Sequence, residues 1–197
     1  MIDSTYTQMR IIDTGKYILR PAQLSDAKDM FEYYSQEKVV RYLPTSPHKT
    51  IPQTRRFIRS FFIDNYKNGK VGHSVIVDKE TNKVIGNIGL NNVSTEAKQA
   101  EIGICINPAY WGHDIATELT IYSLKYAFEY FNVERLIAAT YEDNKRTRKS
   151  LENLGFRYIG TYNKKIAKGI NISYVRCDEF ELLRSDYYES FYLNKPI

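Results

Sequence analysis

Cysteine and long apolar runs are scarce in this chain of 197 residues. The two cysteines, Cys105 and Cys177, fall in different predicted strands and offer no disulfide framework, which is typical of a reducing cytoplasm. The longest apolar runs, such as residues 61–63, are far too short to cross a membrane. Residues 1–16 lack the apolar centre of a signal peptide. We therefore expect a cytoplasmic protein with no membrane partner.

Metal-ligand spacing and a dense basic tract are also missing. The three histidines, His48, His73 and His113, are far apart, and no cysteine pair supports them, so we expect no metal site. The net charge of +5 admits acidic partners, but the Lys and Arg residues are spread along the chain instead of forming one run. This pattern favours an ordinary solvated surface over a nucleic-acid-binding one.

What the chain does contain is the composition of an ordinary globular protein, with 43% hydrophobic and 26% charged residues. A chain of this length forms one domain with a full core more readily than two. The periodicity predicts the order β-α-α-β-β-β-α-β-α-β-β, in which hairpins come first and a βαβ unit follows. The sheet should therefore be mixed and the fold class α+β or α/β.

The clearest predicted elements lie in the second half of the chain. Residues 100–106 alternate as a strand, with Glu101, Gly103 and Cys105 on the face opposite the isoleucines. Residues 115–130 have the apolar spacing of a long helix. Further strands are predicted at 17–20, 75–77, 84–90, 135–140, 156–163 and 172–183, and a further helix at 146–154.

A tight loop joins the strand at 100–106 to the long helix. It reads Asn107-Pro108-Ala109-Tyr110-Trp111-Gly112-His113-Asp114, and the helix opens with Ile115-Ala116-Thr117-Glu118. A loop of this kind aims consecutive backbone N–H groups and a helix N-terminus at one point, which is what a pyrophosphate needs.

Three segments, in this order, resemble the GNAT N-acetyltransferases, especially the RimJ/RimL-type branch that acetylates protein N-terminal amines. The first, Ala100-Glu101-Ile102-Gly103, is similar to the A-E-I-G-Y strand of that branch. The second, residues 111–118, is similar to its W-G-x-G-x-A-T-E loop. The third is Asn144-Lys145-Arg146-Thr147 with Leu151-Glu152-Asn153-Leu154-Gly155-Phe156, similar to N-x-x-S and L-E-K-L-G-F.

The resemblance covers roughly residues 15–185 and implies a fold and a cosubstrate. It implies one acetyltransferase-like domain over residues 1–197, with an aromatic tail at 186–197. The implied sheet is splayed and mostly antiparallel, with about seven strands flanked by helices. Acetyl-CoA would bind where the strand at 100–106 diverges from the strand at 135–140, with no metal. The residues that the resemblance assigns to acetyl-CoA are Ile102, Gly103, Ile104, Trp111, Gly112, His113, Asp114, Ile115, Ala116, Thr117, Asn144 and Thr147.

Glu101 and Thr147 are the candidate catalytic residues. The resemblance makes Glu101 the base, acting directly or through water, and the alternative is a solvated strand carboxylate. Thr147 stands where the branch has a serine near the CoA sulfur, and its hydroxyl can donate to a departing thiolate. Many GNAT enzymes have a tyrosine general acid where this chain has Leu151. Asn144 either contacts the pantetheine arm or caps the helix that it precedes.

Asp114 departs from the family pattern, which has glycine at this position in the phosphate loop. Aspartate tolerates a positive φ better than most residues, so the loop can still form. A carboxylate about 4 Å from a phosphate charge costs roughly 1 kcal/mol in water-like surroundings and about 4 kcal/mol at an effective dielectric of 20. We expect weakened acetyl-CoA binding, unless nearby basic residues offset the charge or Asp114 turns outward as a helix cap.

These observations leave three functions open. The first is acetylation of a protein N-terminal α-amine, which with a pKa of roughly 8 needs little help from a base near neutral pH. The second is acetylation of a small amine such as a polyamine or an amine-bearing antibiotic. The third is a non-catalytic binding or regulatory module, which the charge of Asp114 suggests. The oligomeric state is open, and a homodimer is compatible with the sequence.

Overall fold

The computed structural model describes residues 9–67, 72–168 and 171–192. Eight strands form one sheet in the order β1-β2-β3-β4-β5-β6-β8-β7. Adjacent strands are antiparallel except β5 and β6, which are parallel. The strands are β1 (Ile12–Asp13), β2 (Tyr17–Pro21), β3 (His73–Asp78), β4 (Lys83–Ser94), β5 (Gln99–Ile106), β6 (Arg135–Tyr141), β7 (Arg157–Lys168) and β8 (Asn171–Leu183).

Helices cover both faces of this sheet. They are α1 (Ala27–Tyr34), α2 (Glu37–Val40), α3 (Ile51–Phe57), α4 (Asp64–Lys67), α5 (Ile115–Lys125), α6 (Lys145–Asn153) and α7 (Arg184–Tyr192). A 3-10 turn at Leu24–Asp26 leads into α1. Segments of π-helix extend α3 over Ile58–Ile63 and α5 over Tyr126–Tyr130.

The two faces of the sheet bury different helices because side chains alternate along each strand. On one face, Ile102 of β5 and Ala138 of β6 belong to a core with α5, α6 and α7. On the other face, Cys105 of β5 and Val75 of β3 belong to a core with α1 and the π-helical part of α3. Strand β5 therefore separates two layers, and its odd-numbered residues face α1 and α3.

The predicted mixed, mostly antiparallel sheet is confirmed, and each predicted strand is present with ends shifted by a few residues. The sheet has eight strands instead of about seven, because the short β1 pairs Ile12 with Leu19 of β2. Two residues are too few to show a period, so the pattern could not reveal this strand. The predicted aromatic tail is partly helical: α7 seats Tyr187 in the core, with its ring 4.9 Å from that of Phe128. The end of the tail, residues 193–197, lies outside the described part.

Replacing Phe128 with alanine should destabilise the layer that contains α5. The Phe128 side chain is fully buried, and a Phe→Ala change in a core costs about 3–5 kcal/mol. Ile172 on the β7–β8 hairpin is 62% exposed, so Ile172→Ala should change the free energy of unfolding by less than about 0.5 kcal/mol. Urea unfolding of both variants measures the difference, and equal losses would contradict this placement of the core.

Candidate active site

A cleft opens between β5 and β6 because these two strands pair only at one end. The parallel ladder joins Gln99 to Arg135, Ala100 to Leu136 and Glu101 to Ile137. Both strands lie fully within the described residues and continue past this point, to Ile106 and Tyr141. Strand β5 stays paired with β4, and β6 stays paired with β8. The backbone edges that face each other beyond Glu101 are therefore available to a molecule lying between the strands.

Strand β5 ends in a structured loop that leads to the N-terminus of α5. The side chain of Asn107 accepts a hydrogen bond from the backbone N–H of Ala109 at 3.1 Å, which fixes the first turn. Trp111 Nε1 donates to the backbone oxygen of Ile106 at 2.8 Å. Gly112 adopts φ +91°, and no atom lies within 4 Å of the position that its Cβ would occupy. The loop therefore presents an open backbone surface beside the first turn of α5.

Asp114 is the residue that precedes α5, and it has the left-handed conformation with φ +53° and ψ +12°. This is the conformation that the sequence analysis expected an aspartate to tolerate. Its backbone oxygen accepts from the N–H of Glu118 at 3.0 Å, but its side chain makes no capping hydrogen bond. The carboxylate is exposed, so it does not act as the helix cap that we considered.

Two cationic side chains lie near this loop, next to the ring of Trp111. The Lys38 Nζ lies 5.8 Å from the ring centroid, and the Arg146 guanidinium carbon lies 5.7 Å from it. Arg148, also a candidate to offset the charge of Asp114, is bound elsewhere, with contacts at 2.9 Å to Asp178 and 3.1 Å to Glu152. Arg146 of α6 thus lies beside the loop, and the sequence did not indicate Lys38.

Glu101 lies at the point where β5 and β6 part. It is half-buried, and its Oε2 accepts from Asn92 Nδ2 at 2.8 Å. Within the described residues it forms no ion pair with a lysine or arginine. Burial raises the pKa of Tyr162 to about 12, and the charges of Cys177, Glu179 and Glu101 add to this effect. Glu101 therefore faces the β7–β8 side of the cleft without a cationic partner.

Helix α6 brings the third predicted segment to the open end of β6. The Oδ1 of Asn144 accepts from the backbone N–H of Thr147 at 3.3 Å, so Asn144 caps the helix. Its amide N–H₂ group has no partner among the described residues and remains available to a ligand. Thr147 is half-buried in the first turn. Leu151 packs in the core beside Leu154, so the helix supplies no tyrosine acid.

A chain of buried polar side chains lies below the cleft on the α1 side of the sheet. Asn87 Oδ1 accepts from the hydroxyls of Tyr33 and Tyr34, at 3.3 and 3.1 Å. The Nδ2 of Asn87 lies 3.0 Å from Nδ1 of His73, and the Nε2 of His73 lies 3.1 Å from Oδ1 of Asn91. Sequence reasoning missed this chain, and the available signal was polar residues inside apolar strands, Asn87 above all.

The described residues contain no group of three or more His, Cys, Asp or Glu side chains placed to hold a metal ion. No helix in the same part of the chain is long and apolar enough to cross a membrane.

Comparison with known proteins identifies the family. Residues 16–157 match the family model described as "Acetyltransferase (GNAT) domain". The chain is also 31% identical over 182 residues to the uncharacterized N-acetyltransferase p20 of Bacillus licheniformis, covering 91% of this chain and 99% of that protein. The chain belongs to the GNAT acetyltransferases. It is an N-acetyltransferase, and GNAT enzymes use acetyl-CoA.

Solved structures show the same GNAT fold. The ribosomal-protein-S5-alanine acetyltransferase of Vibrio fischeri superimposes with a TM-score of 0.75 at 19% identity, covering 91% of this chain and 99% of that chain. The spermidine N-acetyltransferase of Vibrio cholerae, in complex with CoA and spermine, superimposes with a TM-score of 0.73 at 19% identity, covering 88% of this chain and 99% of that one. At these identities the structures support the fold and leave the acceptor open.

The buried His73 should make the stability of this GNAT protein depend on pH. Burial lowers the pKa of His73 to about 4, whereas the unfolded chain binds this proton near pH 6.5. Stability from this group is therefore complete above about pH 6.5 and falls by about 3 kcal/mol as the pH decreases to about 4. Urea unfolding between pH 4 and 7.5 should show this loss in the wild type and much less of it in His73→Asn. The exposed His113 provides the control: His113→Asn should keep the wild-type slope, and identical slopes in all three proteins would refute the assignment.

Proposed function

We propose that this N-acetyltransferase is a cytoplasmic RimJ/RimL-type enzyme that transfers acetyl from acetyl-CoA to a protein N-terminal α-amine, by direct attack in a ternary complex. The observation that carries the proposal is the position of Glu101. This carboxylate is half-buried, has no cationic partner among the described residues, and lies where the β5–β6 ladder ends. It can accept a proton from an amine that enters the cleft.

The described residues fit acetyl-CoA as the donor. The diverging backbone edges at Ile102, Gly103 and Ile104 can bind the pantetheine arm and the thioester oxygen. The loop and first turn of α5, residues 111–117, supply N–H groups and the positive end of the helix dipole to the diphosphate. Asn144 keeps an amide N–H₂ for the arm. The exposed carboxylate of Asp114 repels the diphosphate, and the positive charges of Lys38 and Arg146 beside Trp111 offset part of this repulsion.

The proposed reaction needs few side chains. Glu101 accepts a proton from the incoming ammonium, and the neutral amine then attacks the thioester carbon. As the C–N bond forms and the C–S bond breaks, Thr147 donates a hydrogen bond to the departing sulfur. The nitrogen of the adduct loses its second proton to solvent, and the departing thiolate takes up one proton from solvent, so the products are the neutral amide and the CoA thiol. Glu101 then releases the proton of the ammonium to solvent. Leu151, which packs in the core, supplies no acid for this step.

The missing acid and the single base favour an α-amine over a lysine side chain. An α-amine with a pKa of roughly 8 is partly neutral at physiological pH, whereas a lysine amine near 10.4 is about 0.1% neutral at pH 7.4. Deprotonating the lysine would therefore cost roughly 4 kcal/mol. A site with one carboxylate as base is therefore better suited to an α-amine, whose deprotonation costs less free energy.

A polyamine is the second candidate acceptor. The charges of Glu101 and Glu179 both act on Tyr162, so two acidic residues lie in the neighbourhood of one aromatic residue. Such a surface suits a molecule with several ammonium groups. The structural likeness to a spermidine acetyltransferase also keeps this candidate in view.

Asp114→Gly should tighten acetyl-CoA binding by about fivefold or more, because even in water-like surroundings the carboxylate costs roughly 1 kcal/mol near a phosphate. Isothermal calorimetry measures the change. Asp114→Asn is the matched control, since asparagine tolerates the same backbone conformation without the charge, and it should recover most of the gain. Unchanged affinity in both variants would mean that the diphosphate does not bind at this loop.

Three acceptors test the proposal. The first is a peptide with a free N-terminus, the second is its N-acetylated form with an internal lysine, which offers only the side-chain amine, and the third is spermidine. We expect the free N-terminus to be the best substrate.

The Glu101→Gln variant keeps an acceptor for Asn92 but removes the base. Its kcat/KM relative to wild type should therefore fall about tenfold further from pH 8 to pH 6.5, as the α-amine becomes protonated. Glu96→Gln, in the exposed β4–β5 turn, should follow the wild-type profile. Preference for spermidine would replace the proposed acceptor.

A further inference from the structure

The buried polar chain below the cleft ends at a side chain next to the proposed base. Asn91 of β4 is directly opposite Glu101 of β5 in the antiparallel register. Residues in such a pair lie on the same face, with Cβ atoms about 4.5–5.5 Å apart. The half-buried Asn91 is thus the neighbour of Glu101 on the face that the α1 and α3 helices cover, and the carboxylate of Glu101 itself accepts from the next residue, Asn92.

The hydrogen-bond partners decide which end of the Asn91 amide faces the cleft. Asn87 accepts from two tyrosine hydroxyls through Oδ1, so its N–H₂ group faces His73 and donates to Nδ1. The single proton of the neutral imidazole is then on Nε2, which donates to Oδ1 of Asn91. Burial keeps His73 neutral by lowering its pKa to about 4. Asn91 must therefore turn its N–H₂ group away from His73.

Gly103 provides the space into which this N–H₂ group projects. A Cβ on Gly103 would lie 3.3 Å from Nδ2 of Asn91 and 3.3 Å from Cε1 of His73. The absence of a side chain at Gly103 therefore lets the amide of Asn91 pack close to the backbone of β5, on the same face as Glu101. The ring of Phe61, 5.3 Å from the ring of His73, closes the network from the α3 side. A residue that carries a hydrogen-bond donor and a residue that carries a carboxylate thus lie opposite each other on β4 and β5 at the start of the cleft.

We propose that Asn91 binds the acceptor by donating a hydrogen bond to the carbonyl oxygen of its first residue, while Glu101 accepts from its amine. This inference rests on the proposed function. An N-terminal residue carries an amine and a carbonyl on the same Cα, so one donor and one acceptor on neighbouring strands match it. A polyamine has amine groups and no carbonyl. His73 and Asn87 are positioning residues, which hold the Asn91 amide in the donating orientation.

The pair of groups predicts a selectivity that one modified peptide can measure. In this peptide a trans-alkene replaces the first peptide bond, which preserves the chain geometry but removes the carbonyl and the N–H of the second residue and makes the amine more basic. The comparison of enzyme variants on the same peptide separates the lost carbonyl from these other changes. The kcat/KM of the wild-type enzyme should be about tenfold higher for the unmodified peptide than for the alkene peptide. The alkene peptide cannot accept the hydrogen bond from Asn91, and a tenfold difference is the typical effect of one such bond. The difference should appear chiefly in KM.

Asn91→Ala and Asn91→Asp complete the cycle between enzyme and substrate. Each variant should lower kcat/KM for the unmodified peptide by about tenfold or more. The loss should be larger for Asn91→Asp, because the introduced carboxylate repels the carbonyl oxygen of the peptide. With the alkene peptide, Asn91→Ala should cost less than about twofold. Asn82→Asp is the control, since Asn82 lies in the exposed β3–β4 turn, with a φ of +54° that aspartate tolerates. Thermal unfolding of each variant shows that it is folded.

Each result decides the matter. Equal losses with both peptides would show that Asn91 only supports the fold, and equal use of both peptides by the wild type would show that the carbonyl is not recognised. Either result overturns this inference and leaves N-terminal acetylation standing. If the wild type acetylates spermidine but no peptide, the proposed function fails first and the inference fails with it.

Discussion

The separation of β5 from β6 is the constraint on which the rest of this structure depends. Every strand inside a sheet must satisfy its backbone N–H and C=O groups, and these two strands give up that pairing after Glu101 and Ile137. Each keeps its outer neighbour, so the sheet stays whole while an opening with free polar edges forms in its middle. The acyl donor that we propose to lie in this opening would complete the ladder that the chain leaves unfinished.

The alternation of side chains along β5 divides the work of the site between the two faces of the sheet. Ile102 and its even-numbered neighbours bury against α5 and fix the strand to the helix whose N-terminus faces the loop. Glu101 and Gly103 face the opposite layer, where α1 and the π-helical part of α3 cover a buried polar network. One strand thus supports the loop that we propose for the donor and carries Glu101, which we propose as the base.

The sequence was sufficient for most of the fold and for part of the site. Clean alternation at residues 100–106 and helical spacing at 115–130 produced the strand and helix that matter most, because each is long enough for its period to be visible. The two-residue β1 and the helical start of the C-terminal tail were missed, since pairing and packing decide them. The sequence also indicated Asp114 as the unusual residue of the loop, but not that its carboxylate would be left without a capping bond.

The sequence could indicate Asn87 as a polar residue inside an apolar strand, but not the network of partners that it joins. Tyr33, His73, Asn87 and Asn91 come from one helix and two strands, and they meet only because β3 and β4 pair in one register. No local pattern links them. Lys38 reaches the ring of Trp111 for the same kind of reason. Predicting such contacts requires knowing which elements become neighbours, which a single sequence does not state.

The central claim is that the donor lies between β5 and β6, with its diphosphate at the N-terminus of α5. Amide hydrogen exchange, compared with and without acetyl-CoA, tests it most directly. We expect slower exchange in two segments, residues 102–106 and residues 112–117, with little change in β1, β2 and the β3–β4 turn. Protection elsewhere, with unchanged exchange at residues 102–106, would contradict it.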